Sequence, residues 1–297
     1  MSLSPTEHRN PATTDIDRLP TLDVLRLINT EDHKVAPAVL AVLPQVAEAV
    51  DLAVTALRAG HRMHYFGAGT SGRLAVLDAA ELRPTYGAGP DLVAAHIAGG
   101  SPALLTAAEG AEDDVALGRA AAHEVRPGDI AIGATASGTT PYVAGALGAA
   151  RTAGAGTVLI SANPSAPLAD LADVHIAVDT GPEAITGSTR MKAGTAQKLV
   201  LNALSTAVMI RLGRTYSNLM TDMVASNTKL RARQVRLLTQ ATGLDSAACT
   251  TALAAADGEP KVALVALLAQ TSPSAARQAL DHTGGVVHAA LAVIRDA

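Results

Sequence analysis

Cysteine, aromatic residues and long apolar runs are scarce in this chain, and each scarcity excludes a class of protein. The single cysteine, Cys249, excludes an internal disulfide and a cysteine-ligated metal cluster, and it is typical of a reducing compartment. With no Trp, one Phe and four Tyr, the chain lacks the stacking platforms that bind single-stranded nucleic acid. No apolar run reaches the roughly 18 residues that cross a bilayer.

Excess positive charge is missing as well. The net charge is −4, and no run of Lys and Arg resembles a nucleic-acid-binding arm. The polar first 20 residues do not have the pattern of a signal peptide. These features predict a cytoplasmic protein that has neither a nucleic acid nor a membrane as its partner, and 297 residues allow one large domain and a smaller one.

What the chain does contain is an alternation of short apolar strands and helices. Residues 1–20 predict an extended arm, and helical apolar spacing then continues to Gly60, a residue typical of a helix end. The strand candidates are HRMHYFGAG, DLVAAHIAGG, GDIAIGATASGTT, GTVLISANP and DVHIAVDTG. Strands that alternate with helices predict an α/β fold, in which a parallel sheet is flanked by helices.

Helix starts and breaks complete the predicted organisation. Ser101-Pro102 and Pro141 each predict the beginning of a helix. Two further helices are predicted at 191–214 and 221–242, and the last fifty residues form short helical blocks broken at glycine and proline. The predicted domains are an N-terminal arm with helices at 1–50, the α/β domain at 51–215 and a small C-terminal helical region at 216–297.

Three loops rich in glycine and hydroxyl groups carry the functional signal: GAGTSG at 67–72, GATASGTT at 133–140 and ITGSTRMK at 185–192. The first two follow predicted strands and precede helices, where unpaired backbone N–H groups and the helix dipole bind anions. Several short donors beside one anion site favour a sugar phosphate. The candidate substrate ligands are Gly69, Thr70, Ser71, Ser137, Gly138, Thr139, Thr140, Ser188, Thr189, Arg190 and Lys192.

Several of these features have other interpretations. G-x-G-x-x-G also opens dinucleotide sites, but those sites need an acidic residue after the second strand, and neither Glu81 nor Asp91 holds that position. Arg190 and Lys192 fit an anion site and an ordinary helix surface equally well. His61 and His64 have no carboxylate spaced to complete a metal site, so no metal is predicted.

Longer stretches resemble one family of enzymes. They are RNPATTDIDRLP, GAGTSGRLAVLDAAELRPTYG, HIAGGSPALL, EGAEDD, TASGTTPYVAGAL and ITGSTRMKAGTAQKLVLNALSTAVMIRLG. From about residue 7 to 245 the chain is similar to the N-acetylmuramic acid 6-phosphate etherases, whereas its tail matches only loosely. The resemblance implies the sugar isomerase (SIS) fold, a dimer, and removal of the lactyl ether without metal or cofactor, to give N-acetylglucosamine 6-phosphate and D-lactate.

The resemblance also assigns two catalytic carboxylates, which composition alone could not select. The family's catalytic acid falls on Glu81 in DAAELRP, and its second carboxylate falls on Glu112 in GAEDD. Ala80 stands where the family commonly has Ser or Thr. In the implied reaction the opened sugar loses its C2 proton to Glu112, while Glu81 protonates the departing lactate oxygen.

Helix geometry adds one condition. If one helix runs from Ser71 through Glu81, about 15 Å separates them along its axis at roughly 1.5 Å per residue, farther than phosphate and C3 lie apart in one hexose. Either the phosphate binds mainly at 137–140, or Glu81 serves the neighbouring subunit, and both readings predict a site at a dimer interface. The rival functions are a non-catalytic SIS regulator, an aldose–ketose isomerase and, less favoured by the loops, a nucleotide-dependent dehydrogenase.

Overall fold

The computed structural model describes residues 4–224 and 228–296, and its centre is a parallel five-stranded sheet. The strands are β1 (Met63–Gly67), β2 (Val93–Ile97), β3 (Ile130–Ala134), β4 (Gly156–Ser161) and β5 (Val174–Ala177), in the order β2-β1-β3-β4-β5. All residues of β1 and β3 are buried, which explains their almost uninterrupted apolar sequences. All five predicted strands form, so the predicted parallel sheet is confirmed.

Helices α1 to α7 precede, separate and follow these strands. They are α1 (Thr21–Asp32), α2 (Val35–Ala41), α3 (Leu43–Arg58), α4 (Gly69–Tyr86), α5 (Val115–Ala121), α6 (Pro141–Thr152) and α7 (Lys192–Arg211). Proline at the first position starts α6 as predicted, since its fixed φ suits a helix and its missing N–H would have had no partner there. Gly60, with φ +85°, follows the end of α3.

The C-terminal segment is helical, as predicted. It contains a two-stranded hairpin, β6 (Thr215–Tyr216) and β7 (Leu219–Met220), and the helices α8 (Thr228–Thr242), α9 (Ser246–Ala255), α10 (Pro260–Ala269), α11 (Pro273–His282) and α12 (Val287–Arg295). Pro260 and Pro273 open α10 and α11, at the breaks visible in the sequence. Cys249 is fully buried in the core of this bundle.

Contacts divide the chain into two compact units. The first comprises Met1–Ala79 and Pro90–Ser205 and holds the sheet, and the second comprises Ala80–Gly89 and Thr206–Ala297. In the first unit one core cluster packs α6 on the sheet through Phe66, Tyr142 and Leu159. Among the described residues no single helix is long and apolar enough to span a bilayer, although Thr21–Ala41 and Leu43–Arg58, which meet at a 57° bend, reach that length together.

Two predicted helices differ from the structure. Ser101-Pro102 opens only a 3₁₀ turn, Ser101–Leu104, and the Ser101 side chain makes no cap. The Arg73 guanidinium donates to the carbonyls of Leu104 and Thr106 at the end of this turn. In the helix predicted from 221, residues 221–224 form a turn and irregular chain after the β6–β7 hairpin, and the described helix is α8, Thr228–Thr242; residues 225–227 of that prediction lie outside the described part.

Candidate active site

The first two hydroxyl-rich loops begin side by side at the carboxyl edge of the sheet. β1 and β3 are neighbouring parallel strands, with Gly67 in register with Ala134. Each chain then turns into a helix, α4 after β1 and α6 after β3. The carboxyl edge is where open α/β sheets bind their ligands, and the order of the strands brings these two predicted loops to the same part of it.

Two glycines allow the first loop to turn tightly. A Cβ added at Gly72 would lie 2.6 Å from both the Gly67 carbonyl oxygen and Ile97 Cγ1, so any larger residue would push the start of α4 off the sheet. Gly69 has φ +53° and is exposed, a conformation that favours glycine. Thr70 is half-buried and Ser71 is 8% exposed.

Hydroxyl groups in the second loop bind one another. Thr135 Oγ1 lies 2.7 Å from Thr140 Oγ1 and 3.4 Å from Ser137 Oγ, and Ser137 Oγ lies 2.9 Å from Thr139 Oγ1. The Gly138 amide donates to Thr135 Oγ1 at 3.3 Å. Sequence reasoning missed Thr135, which is 2% exposed. Its place at the centre of this network could have been suspected from its position directly after β3.

The loop after β4 supports the second loop. Asn163 donates from Nδ2 to the Ser137 carbonyl at 2.9 Å. Gly138 has φ +73°, and a Cβ there would lie 2.3 Å from Ala166 Cβ. Glycine is therefore required at 138 both for the backbone conformation and for this contact. Asn163 was not among the predicted site residues, since nothing in GTVLISANP indicates a contact 26 residues away.

The third loop reaches the first through Gly194, in the first turn of α7. A Cβ at Gly194 would lie 3.5 Å from Thr70 Cγ2 and 3.2 Å from the Thr189 carbonyl oxygen. Residues 188 and 189 are half-buried, and Arg190 is exposed. The structure therefore brings Thr70 and Thr189 into one neighbourhood, whereas their positions in the sequence are more than a hundred residues apart.

Lys192 does not present its ammonium to solvent. Its side chain is 1% exposed, and Nζ donates to Glu31 Oε2 at 2.5 Å. Burial opposes the charge of Glu31, but hydrogen bonds from Lys192 and Lys34 outweigh that effect and lower its pKa. Lys192 was expected to be either an anion ligand or an ordinary surface residue, but it forms a buried ion pair instead. A direct role of Lys192 in binding substrate stays a prediction.

A buried carboxylate already occupies the start of α7. Glu183, fully buried, accepts hydrogen bonds from the backbone amides of Lys192 at 2.9 Å and Ala193 at 3.0 Å. Its burial raises its pKa, although the amides of Ala193 and Lys192 oppose the shift. Because these two amides already have a partner, they are not open to an anion, whereas the Ser188 and Thr189 hydroxyls and the Arg190 guanidinium belong to side chains that are half-buried or exposed.

Glu112 lies on a 3₁₀ turn, Ala111–Asp113, and is exposed. Gly110 in the left-handed conformation precedes this turn, and Asp114 follows it and caps α5 by accepting from the Leu117 amide at 2.9 Å. The turn packs near Gly99, where an added Cβ would lie 3.6 Å from Ala111 Cβ. Glu112 is thus held at the carboxyl end of β2 with its carboxylate in solvent.

Beside that turn a cavity of about 380 Å³ opens at the carboxyl end of β2. Gly99 and Ser101 line it from the loop, and His96 and Tyr142 line it from β2 and α6. Among the described residues no group of three or more His, Cys, Asp and Glu side chains could hold a metal ion.

Glu81 is exposed and lies on α4, which is continuous from Gly69 to Tyr86. The condition set by helix geometry therefore applies: about 15 Å along the helix axis separates Ser71 from Glu81. Arg73 and Leu77 lie between them on the same helix. Arg73 is half-buried, and Leu77 is 53% exposed.

Comparison with known proteins gives matches to two family models. The SIS domain matches residues 111–207, and the glucokinase regulatory protein N-terminal SIS domain matches residues 45–151. A solved phosphoheptose isomerase from Francisella tularensis superposes with a TM-score of 0.50 at 16% identity, covering 65% of this chain and 100% of that one. At that identity the likeness shows the SIS fold alone.

Curated relatives are much more similar in sequence. An N-acetylmuramic acid 6-phosphate etherase of Thermobifida fusca is 63% identical over 89% of this chain and 87% of its own length. One of Pectobacterium atrosepticum is 52% identical over 96% of this chain and 95% of its own. The chain thus spans nearly the whole length of both relatives.

Proposed function

The chain belongs to the N-acetylmuramic acid 6-phosphate etherase family, and from that premise we propose that it removes the D-lactyl group of N-acetylmuramic acid 6-phosphate. The products are N-acetylglucosamine 6-phosphate and D-lactate, as in the recycling of amino sugars from the cell wall. The identity of 63% over 89% of the chain carries this proposal. The protein acts in the cytoplasm and uses no cofactor.

The phosphate binds at the carboxyl edge of the sheet, where the loops after β1 and β3 meet. Ser71, Ser137, Thr139 and Thr140 supply hydroxyl donors, and the open starts of α4 and α6 supply backbone amides and the positive end of the helix dipole. Loops 67–72 and 135–140 contain no acidic residue that would repel the dianion. The third loop, with Ser188, Thr189 and Arg190, binds polar groups of the sugar.

Lactate leaves by elimination, because direct displacement of an alkoxide is slow. Opening of the ring gives a C1 aldehyde, which acidifies the C2 proton. Glu112 takes that proton, the electron pair forms the C2–C3 double bond, and the C3–O bond breaks as Glu81 protonates the lactate oxygen. Water then adds across the double bond, with its hydroxyl on C3 and a proton returned to C2. Two carboxylates in opposite protonation states are sufficient for this sequence.

The active unit is a homodimer in which the site includes residues of both copies. Along α4 about 15 Å separates Ser71 from Glu81, farther than phosphate and C3 lie apart in one hexose, so we assign Glu81 to the partner's site. Exposed apolar residues support a covered surface in the first unit: Leu105 is 92% exposed and Leu77 is 53% exposed. Large apolar side chains in such positions are typical of a protein–protein contact.

A second candidate is a sugar-phosphate-binding regulator without catalysis, because residues 45–151 match a domain of glucokinase regulatory protein. That match is shorter than the 265 residues aligned with the Thermobifida fusca etherase, so catalysis is favoured. A regulator binds the sugar phosphate and releases no lactate, and a direct assay separates the two functions.

The test is release of D-lactate from N-acetylmuramic acid 6-phosphate by the wild type, Glu81→Gln and Glu112→Gln. Loss of a proton-transfer group costs roughly 10²- to 10⁴-fold in rate, and both side chains are exposed, so each variant loses that much activity while its melting temperature stays unchanged. Glu109→Gln, in the same exposed loop as Glu112, is the matched control and keeps full activity. Lactate release by the Glu81→Gln protein at the wild-type rate would remove its role as the acid.

The same two inactive variants test the shared site. When they are mixed and exchanged in equal amounts, about half of the dimers contain one copy of each, and one of the two sites in such a dimer has both glutamates intact. Activity then returns to about a quarter of the wild-type value. If each site takes both glutamates from a single chain, no activity returns.

A further inference from the structure

The first 20 residues have polar side chains buried in a way that a simple extended arm does not require. We use "the arm" for residues 4–20, which contain three short 3₁₀ turns. Thr6 is 0% exposed, Asn10 5% and Thr13 6%, whereas their neighbours Glu7, His8 and Arg9 are exposed. Buried polar side chains need hydrogen-bond partners, and those partners show what the arm is docked on.

The Thr6 hydroxyl lies 3.1 Å from Ser4 Oγ within the arm, but the partners of Asn10 and Thr13 lie in the segment that leads to the third loop. Thr13 Oγ1 donates to the Ala184 carbonyl at 2.8 Å, and Asn10 Nδ2 donates to the Pro182 carbonyl at 3.4 Å. In the opposite direction the Gly187 amide donates to the Thr6 carbonyl at 3.0 Å. The arm therefore supplies hydrogen bonds to three positions of segment 182–187, which has no regular secondary structure of its own.

Gly187 lets the arm approach this closely. It has φ +74°, and an added Cβ would lie 3.1 Å from the Glu7 carboxylate. That backbone conformation favours glycine. The next residues are Ser188, Thr189 and Arg190, so the arm touches the loop immediately before its candidate ligands.

The far end of the loop is fastened by the buried groups at the start of α7. Glu183 holds the first amides of the helix, and Lys192 binds Glu31 near the end of α1. Residues 182–191 are thus held by the arm on one side and by α1 and α7 on the other, and only the middle of the loop is free to contact a ligand.

We propose that the arm is a structural part of the substrate site, in which Thr13 and Asn10 are positioning residues for the Ser188–Arg190 loop. They do not touch the sugar. They fix the carbonyls of Pro182 and Ala184, so that the hydroxyls of the loop are ordered before the substrate arrives, and this lowers the entropic cost of binding. The proposal rests on the proposed function only for the identity of the ligand.

Thr13→Val tests this directly, because valine keeps the shape of threonine and removes the hydroxyl donor to Ala184. We expect KM for N-acetylmuramic acid 6-phosphate, and the calorimetric Kd for the product N-acetylglucosamine 6-phosphate, to rise roughly tenfold, equivalent to about 1.4 kcal/mol. The turnover number stays within about twofold. Amide hydrogen exchange in residues 183–191 becomes faster, while exchange in β1 and β3 does not change.

Thr14→Val is the matched control, since Thr14 is exposed and its hydroxyl donates to the nearby Pro11 carbonyl within the arm; its KM and exchange stay at wild-type values. Thr13→Ser restores the donor and the affinity. If Thr13→Val does not fold, Asn10→Ala tests the second bond with the same readouts. Unchanged exchange in 183–191 in a folded Thr13 or Asn10 variant overturns the proposal, even if the wild type releases no lactate. Faster exchange with unchanged Kd overturns the link between the arm and binding.

Discussion

The two ends of the central sheet carry polar groups of different kinds. At the amino edge, carboxylates accept hydrogen bonds from the backbone: Asp129, which is buried, accepts from the Arg62 amide at 2.8 Å and the Arg126 amide at 2.7 Å. Asp173 accepts from both the amide and the hydroxyl of Thr157. At the carboxyl edge the groups are neutral hydroxyls that mostly bind one another.

This difference indicates which edge can bind a ligand. A carboxylate that accepts two backbone hydrogen bonds has fixed partners, and breaking them leaves buried amides unpaired. Hydroxyls that bind one another can rotate, and each can donate to an incoming anion at little cost. The amino edge therefore holds the strands in register, and the carboxyl edge provides the donors for a phosphate.

The largest effect expected from this comparison is at Ser137. Ser137→Ala removes the hydroxyl that bonds to Thr139 Oγ1 and that would donate to the phosphate. Hydrogen bonds to charged groups contribute about 1.5–3 kcal/mol, so we expect kcat/KM for the etherase reaction to fall between roughly tenfold and a hundredfold. The melting temperature should change little, because the residue is only half-buried.

The control for this variant is Ser246→Ala, an exposed serine at the first position of α9 in the second unit. Its kcat/KM stays at the wild-type value. If the melting temperature of Ser137→Ala falls by more than a few degrees while kcat/KM is unchanged, Ser137 at the carboxyl edge contributes to stability and not to phosphate binding.

Asp129→Asn tests the amino edge, with an effect on stability instead of catalysis. Asp129 is 2% exposed, and the amide group that replaces its carboxylate turns one acceptor into a donor facing a backbone N–H. An unsatisfied buried polar group costs about 1–3 kcal/mol, so we expect the free energy of unfolding, measured with urea, to fall by that amount. Turnover per folded molecule does not change.

Asp91→Asn is the matched control for Asp129→Asn, because Asp91 is exposed in the turn before β2. We expect it to change the free energy of unfolding by no more than about 0.5 kcal/mol. If Asp129→Asn lowered turnover without lowering stability, the amino edge would have a part in catalysis that its hydrogen bonds do not suggest.

The same comparison explains how much the sequence could predict. Apolar runs between glycine turns locate all five strands, because a parallel sheet covered on both faces leaves a continuous apolar signal. Neighbouring parallel strands then place the loops after β1 and β3 together. The resemblance in DAAELRP and GAEDD selects Glu81 and Glu112, and their roles remain predictions.

Other features of the site depend on contacts between distant parts of the chain. Lys192 has the same local context as a surface residue, and only the partner Glu31, 161 residues away, makes it a buried ion pair. The start of α7 likewise has its amides filled by Glu183. Local sequence cannot distinguish a helix start that is open from one already occupied.

Between the two edges, the buried His64 and the half-buried His96 form a pair that predicts a smaller effect, which depends on pH. His64 Nδ1 lies 3.2 Å from His96 Nε2, and His64 Nε2 lies 3.4 Å from Asp129 Oδ2. Burial, reinforced by the charge of His64, lowers the pKa of His96 to about 4. The unfolded chain takes up this proton near pH 6.5 and the folded chain only near pH 4, so the contribution of His96 to stability is complete above about pH 6.5 and is lost as the pH falls toward 4.

For one proton, the free energy of unfolding cannot change by more than about 1.4 kcal/mol per pH unit, and the partial exposure of His96 reduces this slope. Urea unfolding at pH 7, 6 and 5 measures it: the wild type loses stability over this range faster than His96→Gln, whereas His282→Gln, an exposed histidine on α11, follows the wild type. The raised pKa values of Glu183 and Asp78 act in the opposite direction, but both variants retain those groups, so their effect cancels in the difference. Parallel curves for the wild type and His96→Gln would mean that His96 titrates as freely in the folded protein as in the unfolded chain.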